Sequence, residues 1–198
     1  MGDARKKENP GFNVAMTKLY SDNCGSNAKL FEWGKRGDNK CPRCGNDNEN
    51  VKHIVLCRHA EATKERTEQI GKWAKDMVKK HTVQPVRKAI EESIRRWLTG
   101  DGYQGRWRSQ LSIVNEAIEE QWRIGWYNFL MGMWSKKWKE AQTQILLRNG
   151  SRRSASKWIV EMIKRIWKVP WAMWLHRNKM VHSGRGTRKA DTVVETEV

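Results

Sequence analysis

Four residues whose types and spacing suit one metal ion fall in a single short stretch: Cys41, Cys44, His53 and Cys57, in the pattern C-x2-C-x8-H-x3-C. A two-residue gap lets Cys41 and Cys44 reach one ion from a tight turn, and Gly45 supplies a residue that tolerates positive φ there. A three-residue gap places His53 and Cys57 about one helical turn apart, on one face. Three thiolates and one imidazole close a tetrahedral Zn2+ site and leave no position for a substrate water, so zinc held this way is structural. Two other readings stand beside it. The four residues are unligated, or Cys41 and Cys44 form a redox C-x-x-C, which needs a βαβ setting that nothing around this stretch supplies.

Other chemistry is sparse. Metal-dependent polymerases and nucleases need clustered carboxylates to hold magnesium. The chain has no Y-x-D-D and no spaced set of acids of the ribonuclease H kind, and Glu116, Glu119 and Glu120 read as the solvated face of a helix. His176-Arg177-Asn178 with His182 is faintly similar to His-Asn-His nucleases but lacks their ββα-metal framework. Arg177 and Asn178 read instead as bonding a kinked helix end or a neighbouring turn. The glycines at 100–105 lack the Lys-Ser/Thr of a phosphate-binding loop. His53 is committed to the metal, and His59, His81, His176 and His182 lack evident partners. The chain reads as a protein that is not an enzyme.

Helical spacing dominates the rest. Phe12, Met16, Leu19 and Tyr20 predict a short helix over 12–22, and Leu30, Phe31 and Trp33 a small apolar patch in which Phe31 or Trp33 packs on the metal site. Ile70, Trp73, Ala74, Met77 and Val78 recur at i, i+3, i+4, i+7 and i+8, a core-facing stripe. Pro85 opens the next helix near its first turn, with Val86, Ala89, Ile90, Ile94 and Trp97 inward. Residues 111–133 read as one long amphipathic helix that Gly132 ends. Ser135 caps a further helix through about Leu147, stopped by Asn149-Gly150. The last helix is expected from about Ser154 to His182, kinked at Pro170. Residues 1–11 and 184–198 read as disordered ends. The expected fold is mainly α: residues 12–60 form a short helix plus a small Cys3His zinc knuckle, and 61–183 a bundle of about five helices. Cys24, outside the ligand set, reads as a buried small apolar residue or a spare thiol.

The cysteine segment resembles a known family. Cys41-Pro-Arg-Cys-Gly45 followed by His53-Ile-Val-Leu-Cys57 is similar to the zinc-binding segment found after the polymerase domain in reverse transcriptases of LINE-like retroelements. That pattern runs roughly C-P-x-C-G…E-[ST]-x-x-H-[IV]-x-x-C. Glu49 and His53 match it, and Asn50 stands where Ser or Thr is more usual. Upstream, residues 29–38 resemble the family's lead-in. Downstream, Trp171, Trp174, Arg177 and Asn178 resemble a W-x-x-W-x-x-R-N segment that often follows. The resemblance implies a fragment or stand-alone counterpart of a carboxy-terminal region that helps grip template RNA or target DNA, with structural zinc and no polymerase residues.

Charge points the same way. The 198 residues carry a formal net charge of +17, with a pI near 10, which implies an anionic partner, most often nucleic acid. Residues 151–190 hold eleven of the lysines and arginines against one acid, Glu161. Arg152, Arg153, Lys157, Lys164, Arg165, Lys168, Arg177 and Lys179 are the candidate phosphate contacts, a set that positions a backbone without reading sequence. Arg43, Lys52 and Arg58 add a lesser grip. Among the twelve tryptophans, Trp158, Trp167, Trp171 and Trp174 have a period that says core, whereas Trp33 and Trp107 sit in loop-like contexts suited to stacking on bases. The other reading of the same features is a protein-interaction module, its tryptophan-rich helices docking on a polymerase domain or a second copy. No apolar run approaches a membrane span and no secretory h-region follows the first residues, so membrane partners are not expected. The cysteine usage suits a reducing intracellular compartment, nucleus and cytoplasm alike.

Overall fold

Every regular element is helical in the computed structural model, which describes residues 10–100 and 108–183. Ten helices follow in order: α1 Pro10–Tyr20, α2 Asn27–Glu32, α3 Val51–Leu56, α4 Ala60–Lys79, α5 Gln84–Thr99, α6 Ser112–Ile124, α7 Trp126–Leu130, α8 Lys136–Arg148, α9 Ala155–Ile166 and α10 Lys168–Ser183. The mainly α class expected from periodicity is therefore the fold. Helix α1 starts at Pro10, two residues before the expected boundary. The remaining residues expected to be disordered, 1–9 and 184–198, and the stacking candidate Trp107 lie outside the described residues.

The five helical segments expected after Cys57 are present, two of them in two pieces. The segment 111–133 is interrupted at Gly125, whose φ of 96° and ψ of 142° no helix accommodates, so α6 ends there and the short α7 begins. The final segment breaks at Trp167 rather than at Pro170. A proline ring collides with the carbonyl four residues back and cannot donate to it. For Pro170 that carbonyl belongs to Ile166, the last residue of α9, so the proline sits in the first turn of the next helix, where its missing N–H costs nothing.

The chain divides into two compact units, one running to Thr67 and resuming at Val169, the other spanning Glu68 to Lys168. Sequence reasoning keeps 61–183 together as one bundle; the compact units instead group the last helix with the cysteine segment. In the first unit Met16, Leu19, Val51, Ile54, Val55, Ala62, Val169 and Met173 are buried. Phe12 of α1 meets Trp171 of α10 edge-on at 5.9 Å. Phe31 and Trp33 are 50% and 43% exposed, so neither covers the metal site as expected. Cys24 is buried, and burial pushes its thiol pKa up.

In the second unit α6 packs on α5 and α8, and α8 on α9. Trp73, Trp126, Phe129, Trp138, Met162 and Ile166 fill the interior, and Trp158 is buried as its period implies, while Val78 faces outward against expectation. Phe129 and Trp134 stack at 4.2 Å. Two buried amides tie the packing together. Gln121 accepts from Ser135 N and Trp138 Nε1 and donates to the carbonyls of Gly125 and Met133. Gln142 accepts from Val83 N and donates to His81 O. Gly132 closes the turn after α7 at φ +95°, with the Trp167 indole lying where a Cβ would stand, and that indole donates to Met131 O at 2.9 Å. Gly132→Ala meets both a left-handed backbone and an occupied space, so a loss of about 2–4 kcal/mol is expected, read as a lower denaturant midpoint at unchanged slope.

Candidate metal centre and basic surface

The ligand stretch is shaped before any ion is considered. Gly45 takes φ +75° and its N–H donates to Cys41 O, while Cys41 N donates to Asn46 O; this is the tight turn that the C-x-x-C-G spacing implies. Helix α3 carries His53 and ends on Cys57 as its C-cap residue. Asn50 caps its start, its side chain accepting from His53 N at 2.8 Å, which is the work a Ser or Thr does at an N-cap and explains why Asn serves here.

Helix α3 leaves carbonyls unpaired at its C-terminal end, as every helix does. Two buried arginines take them: Arg43 Nη2 donates to Ile54 O at 2.6 Å, and Arg66 Nη1 donates to Val55 O and Cys57 O. Arg43, read from sequence as a secondary nucleic-acid contact, is instead an internal residue with its guanidinium under the metal segment.

The four candidate ligands converge. Their donor atoms all lie within 4.8 Å of one another, with Cys41 Sγ 3.9 Å from Cys57 Sγ and Cys44 Sγ 3.3 Å from His53 Nε2. Thiolates placed about 2.3 Å from a common ion at tetrahedral angles stand about 3.8 Å apart, close to the Cys41–Cys57 separation. The group can hold a metal ion. Cys41, Cys57, Ala62 and Met173 form a buried cluster, with Cys44 packed against it.

The electrostatics favour the ligating forms of His53 and Cys44 and oppose that of Cys57. Burial, followed by the nearby Arg43 charge, holds the His53 pKa below the ordinary imidazole value, which favours the neutral ring a metal requires. Burial pushes the Cys57 thiol up to about 11. At Cys44 burial raises the pKa, but hydrogen bonding from Asn46 N and to the neighbouring thiols, with the charge of Arg43, outweighs it and leaves the thiol below its usual value. Three thiolates around a divalent ion carry one net negative charge, which the buried guanidiniums of Arg43 and Arg66 stand ready to offset.

Next to this group lies a polar arrangement that sequence reasoning did not anticipate. Arg177, expected on the nucleic-acid face, is 3% exposed, and its Nε and Nη2 donate to the carboxylate of Glu49, which is fully buried. The shortest contact is 2.6 Å. Nη2 also donates to Asn27 Oδ1, and Nη1 to Asn178 Oδ1. Asn27 completes the set by donating its N–H to Glu49 and its amide to Lys40 O. The Trp174 ring lies 5.4 Å from the guanidinium. Arg177 thus leaves the phosphate-contact set: it cross-links α10, α2 and the residue before the α3 cap. The only advance signal was that Glu49 and Arg177 both fall in segments of the family resemblance.

The other basic candidates fall into two groups. Lys179, in the first unit, is exposed. In the second unit Arg165 is half-buried and paired with Asp76 at 3.1 Å and Glu161 at 3.7 Å, so its charge is already matched. Arg152, Arg153, Lys157 and Lys168 are exposed and have no acidic partner among the described residues, and Lys164 is exposed beside them in sequence. Trp33 is exposed with the ammonium groups of Lys29 and Lys35 at 5.9 and 5.7 Å from its ring. Among the described residues no helix is long and apolar enough to cross a membrane.

None of the protein family models, curated proteins or solved structures compared with this chain matches it.

Elemental analysis of the purified protein is expected to give about one metal ion per chain, lost in both Cys41→Ser and His53→Ala, since each removes one of four ligands. A metal-free wild type overturns the site. The Glu49–Arg177 pair makes a separate prediction. Arg177→Met strands a buried carboxylate and is expected to cost about 3–5 kcal/mol, whereas Glu49→Leu with Arg177→Met costs less than the sum of the single changes. Chemical denaturation of the four proteins in the cycle measures the coupling.

Proposed function

We propose that this chain is a non-catalytic, zinc-stabilised module that binds nucleic acid through the basic side of α9 and its approach. One observation carries the reading: Arg152, Arg153, Lys157 and Lys168 stand exposed without acidic partners among the described residues, on a segment where the single acid, Glu161, is already paired. Unmatched cations close together along the chain attract a polyanion by releasing its condensed counterions. The ion is Zn2+ because soft thiolates with one imidazole in a closed tetrahedral set suit it, and because no open position remains for catalysis. The ion's role is to order the first unit. The resemblance to the region after the polymerase domain of LINE-like reverse transcriptases supports this assignment, and the bonding of Glu49 to Arg177 gives two of its separated segments a common structural task.

A second reading, docking on a protein partner or a second copy, is favoured by exposed apolar side chains in the second unit, Leu147 at 68% and Val160 at 52%. Size-exclusion at two concentrations tests the self-association form of that reading, because only a second copy shifts the elution of this chain.

Binding to labelled single-stranded and duplex nucleic acid across a salt titration tests the first reading. The logarithm of the affinity is expected to fall linearly with the logarithm of salt, by roughly 0.7–0.9 per phosphate contact. Arg152→Glu, Arg153→Glu and Lys157→Glu together are expected to flatten that slope by about two to three. Affinity that ignores salt, or survives the triple reversal, removes the basic helix as the contact.

A further inference from the structure

Within the second unit, beside the start of α9, lies a cavity of about 220 Å3. Leu146 of α8 and Trp158 of α9, both buried, are among its walls, and Lys80, Arg153 and Lys157 contribute its cations. Its one acid, Glu161, is engaged by Lys80 at 3.6 Å and by Arg165 at 3.7 Å. Arg153 and Lys157 are exposed and have no acidic partner among the described residues. The positive end of α9 adds to their field.

Apart from the His81 ring and the Ser154 hydroxyl, which accepts from Lys157 N, the uncharged walls offer little hydrogen bonding of their own. The Trp158 indole N–H is committed to Thr82 Oγ1 at 2.8 Å, and the amide that lines the cavity is bonded to backbone on both sides. A ligand that fits therefore has a flat apolar part without strict polar demands, joined to an anion. The volume falls below the roughly 300–1,000 Å3 of pockets that enclose a whole drug-sized molecule, so one ring system enters and the rest stays outside. A nucleotide within an unpaired strand has this construction: a base with two apolar faces and a phosphate on either side. In a duplex the same base is stacked and paired, and must be extruded first.

We propose that this cavity receives one unstacked base of a single-stranded nucleic acid, with the adjoining phosphates held by Arg153 and Lys157. The proposal rests on the nucleic-acid reading above and narrows it to single strands. The walls select for a ring rather than for a particular base, so the binding is tolerant of sequence.

The test uses fluorescence anisotropy with a labelled single strand of about 12 nucleotides, within the usual site size of single-strand binders, the matching duplex, and an abasic strand of equal length and charge. The single strand is expected to bind about 5- to 150-fold tighter than either of the other two, the range that stacking of one base supplies. Arg153→Gln with Lys157→Gln is expected to remove most of that preference. Lys164→Gln with Lys168→Gln, an equal loss of charge from exposed positions further along the chain, weakens all three ligands alike. Both pairs alter exposed side chains, and circular dichroism confirms the helical fold of each. An abasic strand that binds as tightly as the normal one overturns the cavity and leaves the electrostatic reading standing, as does equal binding of the duplex. A wild-type protein that binds none of the three overturns both.

Discussion

Taking the carboxylate of Glu49 out of water is the constraint on which the first unit depends. An isolated buried carboxylate costs several kcal/mol, and it survives only with a matched charge and filled lone pairs. Arg177 supplies the charge through three hydrogen bonds, and the Asn27 N–H supplies a fourth. Those partners lie far apart in the chain, so satisfying one side chain fixes three segments at once. Glu49 directly precedes Asn50, the cap of α3, and α3 carries His53 and ends on Cys57. The position of two metal ligands is thereby coupled to a guanidinium on α10. A metal ion held by the four ligands would constrain the same few residues as the Glu49–Arg177 pair, from the other direction.

The parts of this structure that follow from local rules were legible in the sequence. The turn at Gly45, the cap at Ser135 and the stop at Asn149-Gly150 each need only neighbouring residues, and the helical segments fall about where periodicity puts them, two of them broken. The four metal donors were legible because ligand spacing encodes geometry. What was not legible depends on partners distant in sequence. The W-x-x-W-x-x-R-N segment sets Arg177 apart from the cations before it, but its role is fixed by a carboxylate far upstream that the segment does not reveal. Arg43 and Arg66 look like surface charges until the end of α3 presents carbonyls to them. Gly125 illustrates a different failure: a glycine inside an amphipathic run reads as a tolerated interruption, and only the packed structure shows the backbone leaving the helical region there.

The break between α9 and α10 gives the basic segment its structural meaning. Read as one continuous helix, residues 154–182 would display a single cationic face along their whole length. The proline three residues past Trp167 forbids this, and the two pieces join different compact units. The tryptophans on either side then bury or half-bury in separate cores, Trp158 with Trp134 and Trp171 with Phe12. The same hydrophobic period thus serves two cores in turn.

A charge count from sequence is accordingly a poor map of surface potential. The first unit spends three of its arginines, Arg43, Arg66 and Arg177, on carbonyls and a carboxylate inside the fold, where they cannot meet a phosphate. In the second unit Arg165 is held between two acids. Arg152, Arg153 and Lys157, exposed and without acidic partners among the described residues, lie just before and at the start of α9, beside the cavity bounded by Trp158 and Leu146. Attraction for a polyanion falls off within about 8–10 Å in physiological salt, so a local cluster of unpaired charges governs contact more than the net charge of the chain. The excess of +17 favours an encounter with a polyanion, and in the proposed reading Arg152, Arg153 and Lys157 set where a strand is held.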